Sequence, residues 1–364
     1  MIPFSLEDFF DCYEHQPRLI NLASSDALPW NLAELEDRGV RGDPDTLAYP
    51  NALGNLRPAL TRFLDLPAGF SILPTSGAAE AIALVMIEHA DRTRGGSARE
   101  TAVPSPAYGA FEGLADLLGL ALRGYAYLPS RAWTPDRDEM LALSERCAAV
   151  VVTTPHNPTG HIISSDLLQT MARNLAAHDG TLIVDEVFRI PAETPSASSL
   201  GPTVITIGSL SKTYGLPGLR LGWIAAAEER IKRLRTVQQY LTLSLSAMTV
   251  SLGASVLRNP ELFSRAALIH ENRRVVVSWA AQHADLVSIS QPEGGTTVCL
   301  SAVGKAQEHE KALFDNFLAQ TVLMPRGLQC FGVAAPTAWF RLGYGGDTAQ
   351  LRKGLERIIT VLKR

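Results

Sequence analysis

The chain has 364 residues, enough for a large core and for more than one domain, and 46% apolar with 19% charged residues describes a packed globular protein, not a disordered one. A net charge of −4, with both signs interspersed, leaves no footprint for nucleic acid, so small molecules are the expected partners. Four scattered cysteines form no CxxC pair, which speaks against a disulfide framework or a zinc knuckle, and no apolar run reaches the roughly 18 residues of a membrane span.

The N-terminus, "MIPFSLEDFFDCYEHQPR", is acidic where a secretory signal would be basic and then apolar, and we read a soluble cytoplasmic protein. From about residue 70 to 227, short β-branched runs ("FSIL", "ETAVP", "LRGYAYL", "AAVVVTTP", "GTLIVDE", "TVITIGS", "LGWIAAA") alternate with amphipathic segments such as "GAAEAIALVMIEHADR". That alternation predicts an α/β fold with a mainly parallel sheet covered on both faces, and ligands in such sheets bind beyond the carboxyl ends of the strands. "AETPSASSLGP" (192–202) reads as one polar loop. From residue 228 the pattern becomes long helix, first "EERIKRLRTVQQYLTLSLSAMTVSLGASVL" and then "PELFSRAALIHENRRVVVSWAAQH", followed by an α+β tail; this predicts a second, smaller domain.

Five stretches fall at strand ends. "LPTSGAAEAI" (73–82) places Ser76, Gly77, Ala78 and Ala79 at a helix start, where free N–H groups suit an anion, although Ser-Gly there is commonly only a cap. Tyr108 in "PSPAYGAF" can stack on a planar ligand or fill a core. Asn157 in "TTPHNPTG" sits in a proline-rigid turn that presents an amide. "LIVDEVFR" ends an apolar run in Asp185 and Glu186; Asp185 can pair with a protonated ring nitrogen or an ordinary cation, and Glu186 reads as structural. "SLSKTYGLPGLRLGW" (209–223) sets Lys212 between hydroxyls and Arg220 in a glycine-rich turn, the composition of a phosphate site. The lysine there is either a second charge or a nucleophile.

In this order the motifs resemble the fold type I pyridoxal phosphate enzymes of the aminotransferase class I/II group, from "LAYPNALGNLRPAL" (47–60) to "WFRLGYG" (339–345). The resemblance implies the PLP-dependent transferase fold: a large domain (43–250) with a mainly parallel sheet flanked by helices, and a smaller α+β domain from 1–42 and 251–364. It implies pyridoxal 5'-phosphate as cofactor and Lys212 as the Schiff-base lysine (internal aldimine) that moves the α-proton. Asp185 would pair with the ring nitrogen, Asn157 would donate to the phenolic oxygen and also border the substrate, and Tyr108 would stack on the ring. Ser76, Gly77, Ala78, Ala79, Ser209 and Arg220 would hold the phosphate, with Tyr49 reaching that of a second subunit in a homodimer. Arg341 would take the substrate's α-carboxylate.

Two positions depart from the pattern. Ala78-Ala79 lack a hydroxyl that relatives offer the phosphate, and Phe188 stands where many carry a tyrosine donating to the ring oxygen. "QQYLTLSLSAM" (238–248) holds no basic residue, which speaks against an acidic amino donor. The implied activity is transfer of the amino group of an L-α-amino acid to a 2-oxo acid. Elimination, or oxidation and cyclisation of an arginine-derived amino acid, is the alternative on the same fold. A non-catalytic binding module would have no use for Lys212, and no GxxxxGK[ST] supports a nucleotide site.

Overall fold

The structure, a computed structural model, describes residues 2–13, 16–42, 55–94, 100–191 and 193–363. The strands in chain order are β1 (Ile20–Asn21), β2 (Phe70–Thr75), β3 (Thr101–Ser105), β4 (Leu122–Ala126), β5 (Ala149–Thr153), β6 (Thr181–Asp185), β7 (Val204–Ser209), β8 (Gly222–Ala227), β9 (Val287–Ile289), β10 (Thr297–Ala306), β11 (Val322–Leu323) and β12 (Thr337–Gly343).

All seven strands expected between residues 70 and 227 form, and they make one sheet in the order β2-β8-β7-β6-β5-β3-β4. From β4 through β3, β5 and β6 to β7 the neighbours are parallel; β8 alone runs against both β7 and β2. Side chains alternate between faces along these strands. Val151 and Ile183 share a core with the helix Gly77–Thr93, while Val150, Val152, Leu182 and Val184 share one with Ser165–Ala176, and none has more than a trace of exposed surface. Burial on both faces is why these strands read as continuous apolar runs, each large aliphatic side chain contributing about 1.5–3 kcal/mol. The chain leaves β3 towards β4 and returns on the other side as β5, which makes a switch point with a crevice at the carboxyl ends of β3 and β5.

A second core surrounds the antiparallel sheet β12-β10-β9, covered by the helices Ala266–Gln282, Glu310–Ala319 and Thr348–Leu362 and by the N-terminal helix Ser5–Tyr13. The N-terminal segment connects the two cores: Ile20 pairs with Val322, whereas Leu35 and Val40 pack with Leu56, Ile72 and Trp223. Between them, residues 23–30 cross the sheet's carboxyl edge, with Ala27 N–H donating to Lys212 O (2.9 Å) and Trp30 N–H to Gly215 O (3.0 Å).

Three expectations change. The long helix after residue 228 is two, Glu228–Leu241 and Ala247–Val256, because Leu243 takes φ +62° and Ser246 starts a new helix by accepting the N–H of Thr249 (3.1 Å). The next segment opens with a separate 3₁₀ turn, Pro260–Phe263, since Arg265 N–H is drawn to Thr213 O (2.9 Å) before the helix begins at Ala266. The polar stretch after 192 is partly buried, because Ala197 N–H and Ser196 Oγ satisfy Glu186.

Candidate active site

The crevice opens into a cavity of about 240 Å³ at the strand ends. At one end β2 turns into the helix Gly77–Thr93. Ser76 gives this helix no side-chain cap, so the expectation of a plain cap fails, and the first-turn N–H groups keep their capacity for an anion. Gly77 takes φ +80°, and a Cβ there would lie 2.4 Å from Arg220 Nη2. Gly222, at the start of β8, comes as close from the other side, since its Cβ would meet the Gly77 carbonyl carbon at 2.5 Å. Two missing side chains thus let Arg220 lie against the helix start, where its guanidinium reaches Ser76 O (3.4 Å) and Pro217 O (3.3 Å). Ala78, Ala79 and Arg220 line the cavity; Ser76 and Gly77 stand behind them, and Ser209 Oγ is joined to the cavity-lining Ser211 Oγ at 2.6 Å. Two hydroxyls, a guanidinium and an uncapped helix start make a fitting cradle for a phosphate.

On the cavity floor, at the end of β6, Asp185 is 5% exposed and accepts one backbone N–H, from Val187 (3.0 Å). Burial pushes its carboxyl up to about 7, against the opposing pull of the Val187 N–H and Lys212. A buried carboxylate with so little compensation fits a protonated ring nitrogen. Glu186, by contrast, faces away: it pairs with Arg189 at 3.1 Å and with Ser196 and Ala197, as its structural reading anticipates.

Lys212 Nζ lies 2.9 Å from Ser25 Oγ and 2.8 Å from Asp26 Oδ1, and 6.0 Å from the centre of the Phe188 ring, which also lines the cavity. Tyr108 follows β3 and lines the same space, its hydroxyl donating to Glu7 Oε1 (3.2 Å); burial first and Glu7 second push that hydroxyl well up. Asn157 follows β5 and is buried, its Oδ1 accepting from Arg341 Nη1 (3.3 Å), which leaves its amide N–H₂ free to donate.

Arg341, on β12, has no exposed surface, so it is not a surface arginine. Its Nη2 donates to Ala23 O (2.6 Å), its Nε has no hydrogen-bond partner among the described residues, and burial brings it down to about 10. The structure therefore brings together Lys212, Asp185, Asn157, Tyr108, Phe188, Arg220 and Arg341; Tyr49 lies outside the described residues. Sequence reasoning missed Glu7, Ser25 and Asp26. For Ser25 and Asp26 the available signal was an acid within the small-residue run "NLASSDALPW", which becomes informative once the chain is seen to cross Lys212; Glu7, on an amphipathic helix, carried none.

Comparison with known proteins agrees with this geometry. The profile of the family described as aminotransferase class I and II matches residues 33–358. Capreomycidine synthase of Streptomyces vinaceus is 31% identical over 314 residues, covering 83% of this chain and 77% of that protein. The aspartate/prephenate aminotransferase of Thermus thermophilus is 25% identical over 352 residues, 92% of this chain and 88% of that one. Among solved structures, the pyridoxal-phosphate-dependent cyclase OrfR superposes with a TM-score of 0.83 at 26% identity, covering 100% of this chain and 97% of the other. The chain belongs to the aminotransferase class I and II family and is a pyridoxal-phosphate-dependent enzyme of fold type I.

Proposed function

We propose that the enzyme moves the amino group of an L-α-amino acid to a 2-oxo acid, with Lys212 as the residue that carries the cofactor and shuttles the α-proton. The observation that carries this reading is the position of Asp185: a buried carboxyl pushed up to about 7 shares one cavity with a lysine and a fully buried arginine. When bound, pyridoxal phosphate supplies an electron-withdrawing ring that takes up the electron pair left when the α-proton departs. Asp185 would hold the ring nitrogen charged, Tyr108 would cover a ring face, and Arg220, Ser209 and the N–H groups at Gly77, Ala78 and Ala79 would anchor the phosphate. Arg341 takes the substrate carboxylate in a bidentate grip beside Asn157, which fixes the α-carbon relative to Lys212. Once released as a free amine, Lys212 Nζ takes the proton from that carbon and returns it to a neighbouring atom, while Ser25 Oγ keeps the amine in place.

Single-turnover spectra of the holoenzyme with a panel of amino acids test the reading. Conversion of the cofactor to its amino form, reversed by a 2-oxo acid, is the expected result; release of ammonia or peroxide instead overturns transamination. That outcome would favour the second reading, another reaction on the same fold, for which Phe188 in the ring's surroundings and the likeness to capreomycidine synthase and the cyclase OrfR speak.

We place the protein in the cytoplasm as a homodimer of two-domain subunits (43–250; 1–42 with 251–364). Support for two domains comes from the separate core around the smaller sheet, although Leu35, Val40 and Ala254, Val256, Leu257 and Phe263 pack with the large sheet and so carry that domain past both bounds; support for the dimer comes from Tyr240, Leu241, Leu243 and Met248, exposed around the break between the helices Glu228–Leu241 and Ala247–Val256. Among the described residues no helix is long and apolar enough to cross a membrane.

A further inference from the structure

The charged groups lining the cavity are Lys212, Arg220 and Arg341 on one side of the balance and Glu7, Asp26 and Asp185 on the other. Each cation has a use once cofactor and amino acid are in place. The phosphate takes Arg220, the substrate carboxylate takes Arg341, and the lysine that carries the cofactor ceases to be an ammonium. Asp185 is matched by the ring nitrogen. Glu7 and Asp26 are then left facing the cavity without a counter-charge.

Both carboxylates come from the N-terminal segment, on the side of the cavity that Arg341 also borders. Glu7 sits on the helix Ser5–Tyr13, whose Leu6 and Phe9 are buried in the smaller core, so its position is fixed although its surface is open. It accepts from the neutral Tyr108 hydroxyl, and it has no ion-pair partner among the described residues. Asp26 is held by Ser24, whose Oγ donates to it (3.3 Å), and its cation is the Lys212 ammonium at 2.8 Å. An independent sign of a ligand is Arg341, which has no exposed surface, lines the cavity and has no hydrogen-bond partner for its Nε among the described residues. A carboxylate held by Arg341 would therefore lie within the same space as the two acids, and the side chain of that amino acid would have them within the cavity.

Resting on the amino-acid reading above, we infer that Glu7 and Asp26 form an anionic subsite for the cationic side chain of the amino donor, a guanidinium or a terminal ammonium. Two like charges facing one cavity disfavour each other, Asp26 being only partly exposed, and a cation on the substrate turns that repulsion into attraction. A second carboxylate on the donor would add to it, in keeping with the lack of a basic residue in 238–248.

The test is titration of holoenzyme with L-arginine and with L-citrulline, its neutral counterpart of equal length, and with L-lysine and L-norleucine, following the visible band of the bound cofactor. The cationic member of each pair should bind more tightly by about tenfold or more, as expected when a charge pair is replaced by a neutral contact. Glu7→Gln should shrink the arginine-to-citrulline ratio by about threefold or more. Asp26→Asn should shrink it likewise in protein shown by its absorbance to carry cofactor. Equal affinities within both pairs, or a Glu7→Gln effect that is the same for arginine and citrulline, would overturn the subsite and leave the amino-acid reading standing. No spectral response to any amino acid from fully loaded enzyme would overturn that reading, and the subsite with it.

Discussion

Arg341 is informative as a single residue because it has no exposed surface and its two Nη groups are held by Ala23 O and Asn157 Oδ1. A buried guanidinium held in this way has a fixed plane, which is what bidentate recognition of a carboxylate requires. Arg341→Lys keeps the charge and loses the fork. We expect it to weaken amino-acid binding by about 2–5 kcal/mol, roughly 30-fold to several-thousand-fold, while leaving cofactor loading by absorbance near the wild-type level. An unchanged apparent affinity for the best donor would place the carboxylate elsewhere. Phe188 is the opposite case, a residue whose effect lies in what it does not donate. A tyrosine hydroxyl at 188 aimed at the cofactor's deprotonated ring oxygen would stabilise that form and so favour loss of the neighbouring proton. Phe188→Tyr should therefore move the titration of the holoenzyme's visible band to lower pH. Coincident titration curves in a fully loaded mutant would mean that position 188 does not face the ring oxygen.

At the scale of the element, the phosphate end of the site depends on how closely β8 and the helix Gly77–Thr93 approach. Gly77 provides a positive φ and the space into which Arg220 fits, and Gly222 allows the strand to touch the helix start. Gly77→Ala fails on both counts: the backbone conformation costs an L-residue about 1–2 kcal/mol, and the added methyl displaces the guanidinium 2.4 Å away. Losing a charge-assisted hydrogen bond of about 1.5–3 kcal/mol should lower cofactor affinity roughly tenfold to a hundredfold, read by titrating pyridoxal phosphate into cofactor-free protein. Wild-type affinity in the variant would show that the phosphate does not use this helix start.

For the whole molecule, the elements of the large sheet are legible in sequence because each strand is buried on both faces and each helix carries one apolar stripe, so period and composition agree. The motifs are legible for a related reason: Asp185 ends a strand, Tyr108, Asn157 and Lys212 come within one turn after one, and the topology brings strand ends together. Ser25 and Asp26 are not legible, because they reach Lys212 by a chain crossing nearly 190 residues away in sequence (Ser25 to Lys212, a separation of 187), and neither is Glu7, which meets Tyr108 across a separation of 101. The helix break at 242–246 is hidden for a local reason. It rests on Leu243 at positive φ and on the tie between Thr242 and Glu80, which no hydrophobic period records.

The cost of building this site should be visible in the stability of the entire cofactor-free protein. Asp185 titrates near 7 when folded, against 3.8 for an unperturbed carboxyl, so between those values the folded state binds more protons than the unfolded one. Stability contributed by this group therefore falls as pH rises through that window and is flat above it, by an amount of up to about 4 kcal/mol. The neutral, buried His156 and His89, brought down by burial to about 3 and about 4, act in the opposite sense, since the unfolded state gains their protons below 6.5. Their contribution is common to wild type and variant, which makes a difference measurement the right one. Asp185→Asn removes the carboxyl but not the histidines, so the variant without cofactor should unfold at a higher temperature than wild type at pH 8, and the gap should close towards pH 4.5. With pyridoxal phosphate added the order should reverse at pH 8, because the wild-type carboxylate then has its ring nitrogen and the amide has none. Thermal midpoints of both proteins across this pH range, with and without cofactor, decide the matter. A constant difference between the two cofactor-free curves would mean that Asp185 is not held uncompensated in the folded chain, and that the cavity floor is not arranged to receive a positive ring.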